Sequence, residues 1–247
     1  MYIFAFYFAK ILFFLYMKTK MFTDLFNLFF PRTCICCDST LLPSENQICI
    51  NCLSRLSLTN FVDIVNNPVE KIFWGRSKIE AATALLYFKK NGNTQKILHE
   101  IKYKNNIKAA HLMGNLLGIE LKKSKRFENI DIIIPVPLHY KKKKKRGYNQ
   151  SEEIAKGIAK HFSKEIVTDC LVRKEYTKTQ TKKNRLNRWE NVSNSFAVAN
   201  PDIIKGKHVL FIDDVVTTGA TLETCANTLL AIPTVKVSIA SLSIAYN

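Results

Sequence analysis

Two adjacent aspartates followed by a threonine-rich loop are the part of this sequence best suited to chemistry. Asp213 and Asp214 end a buried apolar run, and the residues that follow them are Val215, Val216, Thr217, Thr218, Gly219, Ala220 and Thr221. Ligands of open α/β sheets bind at the carboxyl ends of strands. The segment therefore predicts a ligand site at the end of a strand over 209–212, immediately before a helix over 219–230.

The residue types in this segment suit a sugar phosphate bound with a divalent cation. The amides of residues 218–221 begin a helix, so they lack intrahelical partners and favour an anion. Gly219 lets the backbone approach a ligand closely, and the threonine hydroxyls add donors. Two carboxylates would repel a phosphate unless they bind neutral hydroxyls or a metal ion, so we expect ribose hydroxyls and Mg²⁺ there. The structural alternative is an acidic strand end before an ordinary threonine-capped helix.

A cluster of cysteines near the start of the chain predicts a metal site. Two C-x-x-C pairs are separated by eleven residues, and their members are Cys34, Cys37, Cys49 and Cys52. Four thiolates at this spacing can surround Zn²⁺ and leave no position open for catalysis, so structural zinc is predicted. Disulfides, or Cys36 in place of one ligand, are the alternatives. The isolated Cys170 and Cys225 suit a reducing compartment, so we expect a cytoplasmic protein.

The elements that must position these residues alternate between strands and helices. Apolar runs predict strands at 81–88, 130–134, 166–172, 209–212 and 235–244. Apolar residues at helical spacing predict helices at 93–103, 108–121, 151–162 and 219–230. This alternation implies a mainly parallel sheet with helices on both faces, so the predicted fold class is α/β.

Composition divides the chain into four segments. Residues 1–20 are a hydrophobic leader, 21–60 the zinc-binding module, 61–78 an Asn-rich connector and 79–247 the α/β domain. The apolar run of the leader is shorter than the ~20 residues that span a bilayer, and it lacks the features of a signal peptide. An interfacial anchor, an atypical signal and sequence translated upstream of the true start are the alternatives. We favour the last and expect no stable membrane span.

Several strings of residues resemble known families. The string from Val209 to Thr221 resembles the ribose-phosphate signature of type I phosphoribosyltransferases. The strings DIIIPVPL at 131–138 and RGYNQS at 146–151 resemble the competence-associated ComF family, as do the paired cysteines and the polar residues between Arg173 and Phe196. The resemblance covers residues from about 22 to 245.

The resemblance implies a type I phosphoribosyltransferase-like fold and phosphoribosyl pyrophosphate as the ligand. It makes Asp213 and Asp214 the catalytic residues that hold the ribose hydroxyls, with the 5-phosphate in the loop from Val215 to Thr221. The residues implied at the pyrophosphate end are Pro135, Val136, Pro137 and Arg146. It places residues 173–188 in a mobile loop. The implied reaction displaces pyrophosphate at the anomeric carbon, and no acceptor can be identified.

The positive charge of the chain lies outside the predicted sugar-phosphate loop. The net charge is +17, and residues 1–200 carry 34 Lys and Arg against 16 Asp and Glu, whereas residues 201–247 carry 3 against 4. Such a surface suits a polyanion, although a coding bias towards Lys would give the same composition. Lys141–Lys145 could form a solvated loop or contact pyrophosphate or nucleic acid. Tyr148 and Trp189 could stack on bases.

Two functions follow from these features. The first is a phosphoribosyltransferase of unknown acceptor that acts in DNA uptake and natural transformation. The second is a non-catalytic competence factor that binds single-stranded DNA and uses the pocket as a ligand sensor. The sequence contains no G-x-x-x-x-G-K-[ST] motif, so a helicase or translocase would have to be a separate partner.

Overall fold

The computed structural model describes residues 30–173 and 196–245. Contacts between Cα atoms divide the chain into two units, residues 1–54 and residues 55–247. The predicted leader of residues 1–20 lies outside the described residues. Within the described residues, no helix is long and apolar enough to cross a membrane.

The described part of the smaller unit, residues 30–54, is built mainly from turns. This part contains one short helix, α1 (Ile50–Ser54), and two isolated bridges that join Thr33 to Thr40 and Asn46 to Ile48. Its buried apolar residues are Cys34, Cys36, Leu41, Ile48, Cys49 and Cys52. A core of this size is too small to stabilise a fold alone, as in natural modules that are held together by a metal ion.

The larger unit contains a five-stranded parallel sheet in the order β1-β7-β6-β2-β3. Its strands are β1 (Ala81–Phe88), β2 (Ile132–Pro135), β3 (Glu165–Ile166), β6 (His208–Val216) and β7 (Lys236–Ala245). A separate antiparallel pair consists of β4 (Leu171–Arg173) and β5 (Phe196–Val198). The helices formed by its described residues are α2 (Pro68–Lys71), α3 (Asn93–Tyr103), α4 (Ile107–Lys123), α5 (Tyr140–Arg146), α6 (Gln150–Phe162) and α7 (Ala220–Leu230). Short 3₁₀ turns lie at Lys125–Phe127 and Pro201–Ile203.

Helices cover both faces of the sheet, which explains the continuous apolar run of β6. Successive side chains of a strand point to opposite faces. Val209 and Phe211 belong to the core that contains the buried residues of α7, whereas α6 packs against β2 and β6 and lies against α4. The predicted α/β fold with a parallel sheet flanked by helices is therefore confirmed.

The strand predicted at 166–172 is wrong as a single element. Its first part pairs with β2, and Val167 N donates to Ile133 O at 2.9 Å. Its last part forms β4, which pairs with β5 in the other sheet. The polar residues Thr168 and Asp169 interrupt the apolar run, and the chain bends there.

Residues 61–78, which we expected to be a connector, contribute to the core of the larger unit. Val69 and Phe73 are fully buried. The side chain of Asn67 accepts from two amides at the start of α2 and donates to Ala82 O at 2.8 Å. A short Asn-rich stretch can thus serve as a helix cap rather than as a linker.

The run Lys141–Lys145 forms a helix, α5, rather than a loop. Lysine is a good helix former, and both ends of α5 are capped. The His139 side chain accepts from Lys141 N at 3.2 Å. Gly147 ends the helix in the left-handed conformation with φ +80. All five lysines are exposed on this helix.

Candidate functional site

The threonine-rich loop lies at the carboxyl end of β6, between that strand and α7. The strand ends at Val216 and the helix begins at Ala220. Thr217, Thr218 and Thr221 are exposed, so their hydroxyls are accessible to a ligand. The first amides of α7 have no intrahelical acceptors and carry the positive end of the helix dipole. The loop can therefore bind an anion such as a phosphate.

Gly219 is required by the conformation of this loop. Its φ is +73, in the left-handed region that L side chains disfavour. A Cβ at this position would lie 2.5 Å from Cγ2 of Ile72. The residues that follow α2 therefore pack directly against the loop.

Arg76 forms hydrogen bonds with the backbone of the loop, a role that was not predicted from the sequence. Its Nη1 donates to Thr218 O at 3.1 Å and to Ile72 O at 3.0 Å, and its Nη2 pairs with the Glu223 carboxylate in α7. The Asn227 side chain in turn donates to Arg76 O at 3.1 Å. No local pattern around Arg76 indicates this role, because Thr218 and Glu223 are 142 and 147 residues away.

The two aspartates have different surroundings. Asp213 Oδ1 accepts from Ser151 Oγ at 3.1 Å and from the amide of Asp214 at 2.8 Å. Asp214 is 5% exposed, and its Oδ1 lies 2.9 Å from Lys102 Nζ in α3. The other oxygen of Asp214, Oδ2, is buried and has no hydrogen-bond partner among the described residues.

The electrostatics of this pair favour a proton on Asp213. Burial, and then the negative charge of Asp214, raise the pKa of Asp213 to about 7. Ionisation of both of two adjacent carboxyl groups costs free energy unless a cation or a hydroxyl donor contacts them. The unpaired oxygen of Asp214 could accept from a ligand hydroxyl or bind a cation.

The residues predicted at the pyrophosphate end lie next to the aspartates. Pro135 pairs with Ile212 in the register of β2 and β6, and Val136 N donates to Ile212 O at 2.8 Å. The Asn149 side chain, at the start of α6, donates to Val136 O at 3.0 Å. Pro137 is half-buried. This segment and the aspartates therefore end at the same edge of the sheet.

Arg146, which was also predicted at the pyrophosphate end, is the last residue of α5. Its guanidinium is 5.6 Å from the centre of the Tyr103 ring. It lines a cleft of about 610 Å³ together with residues of α3 and α5. Arg146 thus belongs to the basic surface formed by α5.

Tyr148 does not face the solvent, so our suggestion that it stacks on bases is wrong. Its ring is buried, and its hydroxyl donates to Ile101 O. The exposed aromatic residues near α5 are instead Tyr103 and Tyr140. Trp189 and almost all of the predicted mobile loop at 173–188 lie outside the described residues.

The four predicted cysteine ligands come together in the smaller unit. The Sγ atoms of Cys34, Cys37, Cys49 and Cys52 all lie within 4.8 Å of one another, so the cluster could hold a metal ion such as zinc. The amides of Cys36 and Cys49 donate to Cys34 Sγ at 3.4 and 3.3 Å, which stabilises a thiolate. Cys36 is not part of the group of four.

Comparisons with known proteins identify relatives of this chain. A phosphoribosyl transferase domain matches residues 127–245. The DNA utilization protein YhgH of Escherichia coli O157:H7 is 29% identical over 54% of this chain and 60% of its own length. Competence protein F of Haemophilus influenzae is 27% identical over 51% of this chain and 57% of its own length. The chain thus spans less than two thirds of the length of these two relatives.

A third relative is matched over more of its length. Competence protein ComFC of Streptococcus pneumoniae is 25% identical over 84% of this chain and 86% of its own length. The matched domain contains Asp213, Asp214 and the threonine-rich loop. The domain match and these relatives together confirm the resemblance to the ComF family that the sequence motifs indicate.

Proposed function

We propose that this chain binds phosphoribosyl pyrophosphate with Mg²⁺ and acts in DNA uptake during natural transformation. The observation that carries the proposal is the state of Asp214. Its side chain is buried at the end of β6, beside the open loop, and Oδ2 has no partner among the described residues. An ionised carboxylate oxygen buried without a partner is unfavourable, so a hydroxyl or a cation from a ligand would stabilise it.

Each part of the ligand has a matching part of the site. The 5-phosphate would be bound by the amides and hydroxyls of residues 217–221. The ribose hydroxyls and the Mg²⁺ would lie at Asp213 and Asp214. The pyrophosphate would lie towards Pro135–Pro137, with positive charge supplied by Arg146.

The reaction that this arrangement supports is displacement of pyrophosphate from the anomeric carbon. The bond from that carbon to the pyrophosphate oxygen breaks, its electron pair leaves with the pyrophosphate, and a nucleophilic atom of the acceptor forms the new bond to that carbon. Positive charge develops on the sugar ring, as it does in glycoside cleavage. Asp214 close to the ribose would stabilise this charge, as would Asp213 when it is ionised, and positioning would supply the rest of the rate enhancement.

Calorimetric titration of phosphoribosyl pyrophosphate with Mg²⁺ tests the proposal. The full chain should bind, and the Asp213→Ala/Asp214→Ala double variant should lose at least tenfold in affinity, because hydrogen bonds to charged groups are worth about 1.5–3 kcal/mol. Asp202→Asn, which removes the charge of an exposed acid outside the site, is the matched control. Absence of binding by the well-folded parent chain would overturn the proposal.

A second candidate function is supported by α5. This helix exposes five consecutive lysines, and Tyr103 and Tyr140 nearby are 67% and 52% exposed. Cationic side chains beside exposed rings are the features that bind single-stranded nucleic acid. The chain could therefore be a non-catalytic DNA-binding competence factor that uses the sugar-phosphate site as a sensor.

Salt dependence and turnover separate the two candidates. Binding of single-stranded DNA through phosphate contacts should weaken with salt, with a slope of about −0.7 per contact in log K against log salt. Lys141→Ala/Lys144→Ala should reduce that slope by about 1.4, whereas Lys125→Ala/Lys164→Ala, on exposed residues elsewhere, should leave it unchanged. Steady release of pyrophosphate with any acceptor would exclude the purely sensory function.

The cellular setting is also part of the proposal. The relatives are named for DNA utilization and competence, and a four-thiolate zinc site suits the reducing cytoplasm. We propose that the cysteine cluster holds one structural zinc ion. A separate helicase or translocase would provide any ATP-driven step.

A further inference from the structure

Lys102 is held next to the acid pair by the packing of α3. Three apolar residues of this helix, Ile97, Leu98 and Ile101, are buried, and the Tyr148 hydroxyl donates to Ile101 O near the end of the helix. Lys102 follows Ile101 directly, and its side chain is 23% exposed. The packing of α3 on the sheet therefore determines where the ammonium group lies.

The ammonium group of Lys102 pairs with a carboxylate that is almost completely buried. Lys102 Nζ lies 2.9 Å from Asp214 Oδ1, and the Asp214 side chain has little contact with solvent. Buried ion pairs are screened weakly by salt, and removal of one partner leaves an uncompensated buried charge. Lys102 is therefore the counter-charge on which the buried Asp214 depends.

The oxygens of the acid pair differ in what they can still bind. Asp213 Oδ1 accepts from Ser151 Oγ and from the amide of Asp214. Asp214 Oδ2 is buried and has no hydrogen-bond partner among the described residues. A neutral hydroxyl could donate to this oxygen without adding charge. A divalent cation at the same place would lie close to the ammonium of Lys102 and would be repelled by it.

We propose that Lys102 is a positioning residue that supplies the cation of the acid pair, so that a sugar phosphate binds there without a divalent cation. Lys102 balances the charge of Asp214 and orients its carboxylate, and Asp214 Oδ2 accepts from a ribose hydroxyl. An ammonium group suits this role because it is a compact point charge with three donors.

This inference rests on the proposed function, because it concerns the same sugar-phosphate site. It refines the place of Mg²⁺ in that function. The cation accompanies the pyrophosphate half of the ligand, as Mg²⁺ does with other substrate phosphates, and the ribose 5-phosphate half needs none. Two ligands that share a ribose 5-phosphate group should therefore differ in their metal requirement.

Calorimetry on the full chain with ribose 5-phosphate as the probe tests the metal requirement. The parent chain should bind this probe in the presence of a chelator, and added Mg²⁺ should change the affinity by less than about threefold. Binding by the parent chain that appears only with Mg²⁺ would overturn the inference.

A neutral side chain of similar length at position 102 gives a sharper test. Lys102→Met should bind ribose 5-phosphate at least about tenfold more weakly in chelator, because Asp214 loses its counter-charge. Mg²⁺ should then restore the affinity to within about threefold of the parent, since the cation can occupy the place of the ammonium. A loss that Mg²⁺ does not reverse would mean that Lys102 only supports the structure, and it would overturn the inference.

Three more variants control for charge and for folding. Lys104→Met removes a nearby lysine that pairs with Glu100, so it should bind as the parent does with and without Mg²⁺. Lys102→Arg keeps the charge and should keep binding in chelator. Lys102→Met/Asp214→Asn removes both charges, so it should fold even where Lys102→Met does not, and Mg²⁺ should not improve its binding. Restoration by Mg²⁺ in Lys104→Met or in this double variant would overturn the inference.

Titration of phosphoribosyl pyrophosphate separates this inference from the proposed function. Binding of ribose 5-phosphate in chelator, without binding of phosphoribosyl pyrophosphate under any condition, would support the inference and refute the proposed ligand. Binding of phosphoribosyl pyrophosphate with Mg²⁺, together with binding of ribose 5-phosphate only when Mg²⁺ is present, would refute the inference alone.

Discussion

The cysteine cluster and the sugar-phosphate loop are assembled in different ways. All four cysteine ligands lie between residues 34 and 52, and the Sγ atoms meet within 4.8 Å. The loop from Asp213 to Thr221 is also a short segment, but the side chains that orient it come from distant parts of the chain. These partners are Ile72, Arg76, Lys102 and Ser151.

The difference shows where the stability of each site originates. Few apolar residues are buried in residues 30–54, the described part of the smaller unit, so a metal ion would provide most of the folding free energy of this part. The loop is attached to β6, a central strand with a continuous buried run, so the sheet holds it whether or not a ligand is bound. Loss of the metal should therefore unfold the cysteine cluster. Loss of one side-chain contact to the sugar-phosphate loop should only increase the mobility of that loop.

The largest expected effect is on the cysteine cluster. Cys49→Ser should abolish stoichiometric zinc binding and unfold the smaller unit, because three thiolates do not close a structural zinc site. Metal analysis and amide hydrogen exchange measure the two results. Phosphoribosyl pyrophosphate binding by the larger unit should persist.

Cys36→Ser is the control for this variant. Cys36 is buried in the same unit but lies outside the group of four. It should keep one zinc ion per chain. Full zinc content in Cys49→Ser, or loss of zinc only in Cys36→Ser, would show that a different set of ligands is used.

A second test concerns the conformation of the loop. Gly219→Ala should lower the free energy of unfolding by about 1–3 kcal/mol, since a left-handed φ disfavours an L side chain and Ile72 Cγ2 lies in the way. Denaturant titration measures the loss. In the Ile72→Ala background the added methyl group no longer overlaps Ile72, and only the backbone strain remains. Gly219→Ala should therefore cost less free energy of unfolding in that background than in the parent chain. An unchanged free energy of unfolding in Gly219→Ala would contradict the left-handed conformation of Gly219 and its close contact with Ile72.

A third test uses the pH dependence of stability. The raised pKa of Asp213, about 7 against 3.8, means that the folded chain keeps a proton that the unfolded chain releases between these values. The free energy of unfolding should therefore fall as pH rises from about 4 to about 7 and change little above that. Asp213→Asn should remove this part of the slope in denaturant titrations. An identical slope in the two proteins would contradict the assignment to Asp213.

The smallest expected effect is at Arg76. Its ion pair with Glu223 is partly exposed, so it should contribute less than about 1 kcal/mol to stability. Arg76→Gln should weaken phosphoribosyl pyrophosphate binding by about fivefold, because the Thr218 carbonyl loses its donor, with Arg76→Lys intermediate. Arg55→Gln removes the same charge at an exposed position and should have no effect on affinity.

The parts of the fold that the sequence predicts well are those with local causes. The buried runs of β1, β2, β6 and β7 and the helical spacing of α3 and α6 are visible in short windows. The cysteine cluster is equally local. The predicted strand at 166–172 was wrong because two sheets share that run, and pairing partners are not visible in a window.

The missed residues have non-local causes. Arg76 acts on Thr218, and Lys102 on Asp214, from segments that contain no recognisable motif. The lysine run was predicted as a solvated loop or as a contact with pyrophosphate or nucleic acid, whereas the structure shows a helix capped by His139 and Gly147. Charge composition indicates that a basic surface exists, but not which element presents it.

The position of β7 has a consequence for how the larger unit folds. This strand, the last of the described residues, lies between β1 and β6 in the sheet, and among the described strands β1 pairs within the sheet with β7 alone. A ribosome must therefore make nearly the whole unit before β1 can join the sheet. Until then the apolar edges of β1 and β6 are unprotected, and such edges attract other chains. Pairing over so long a sequence separation also slows folding, so growing chains of this protein should depend on chaperones until their last strand emerges.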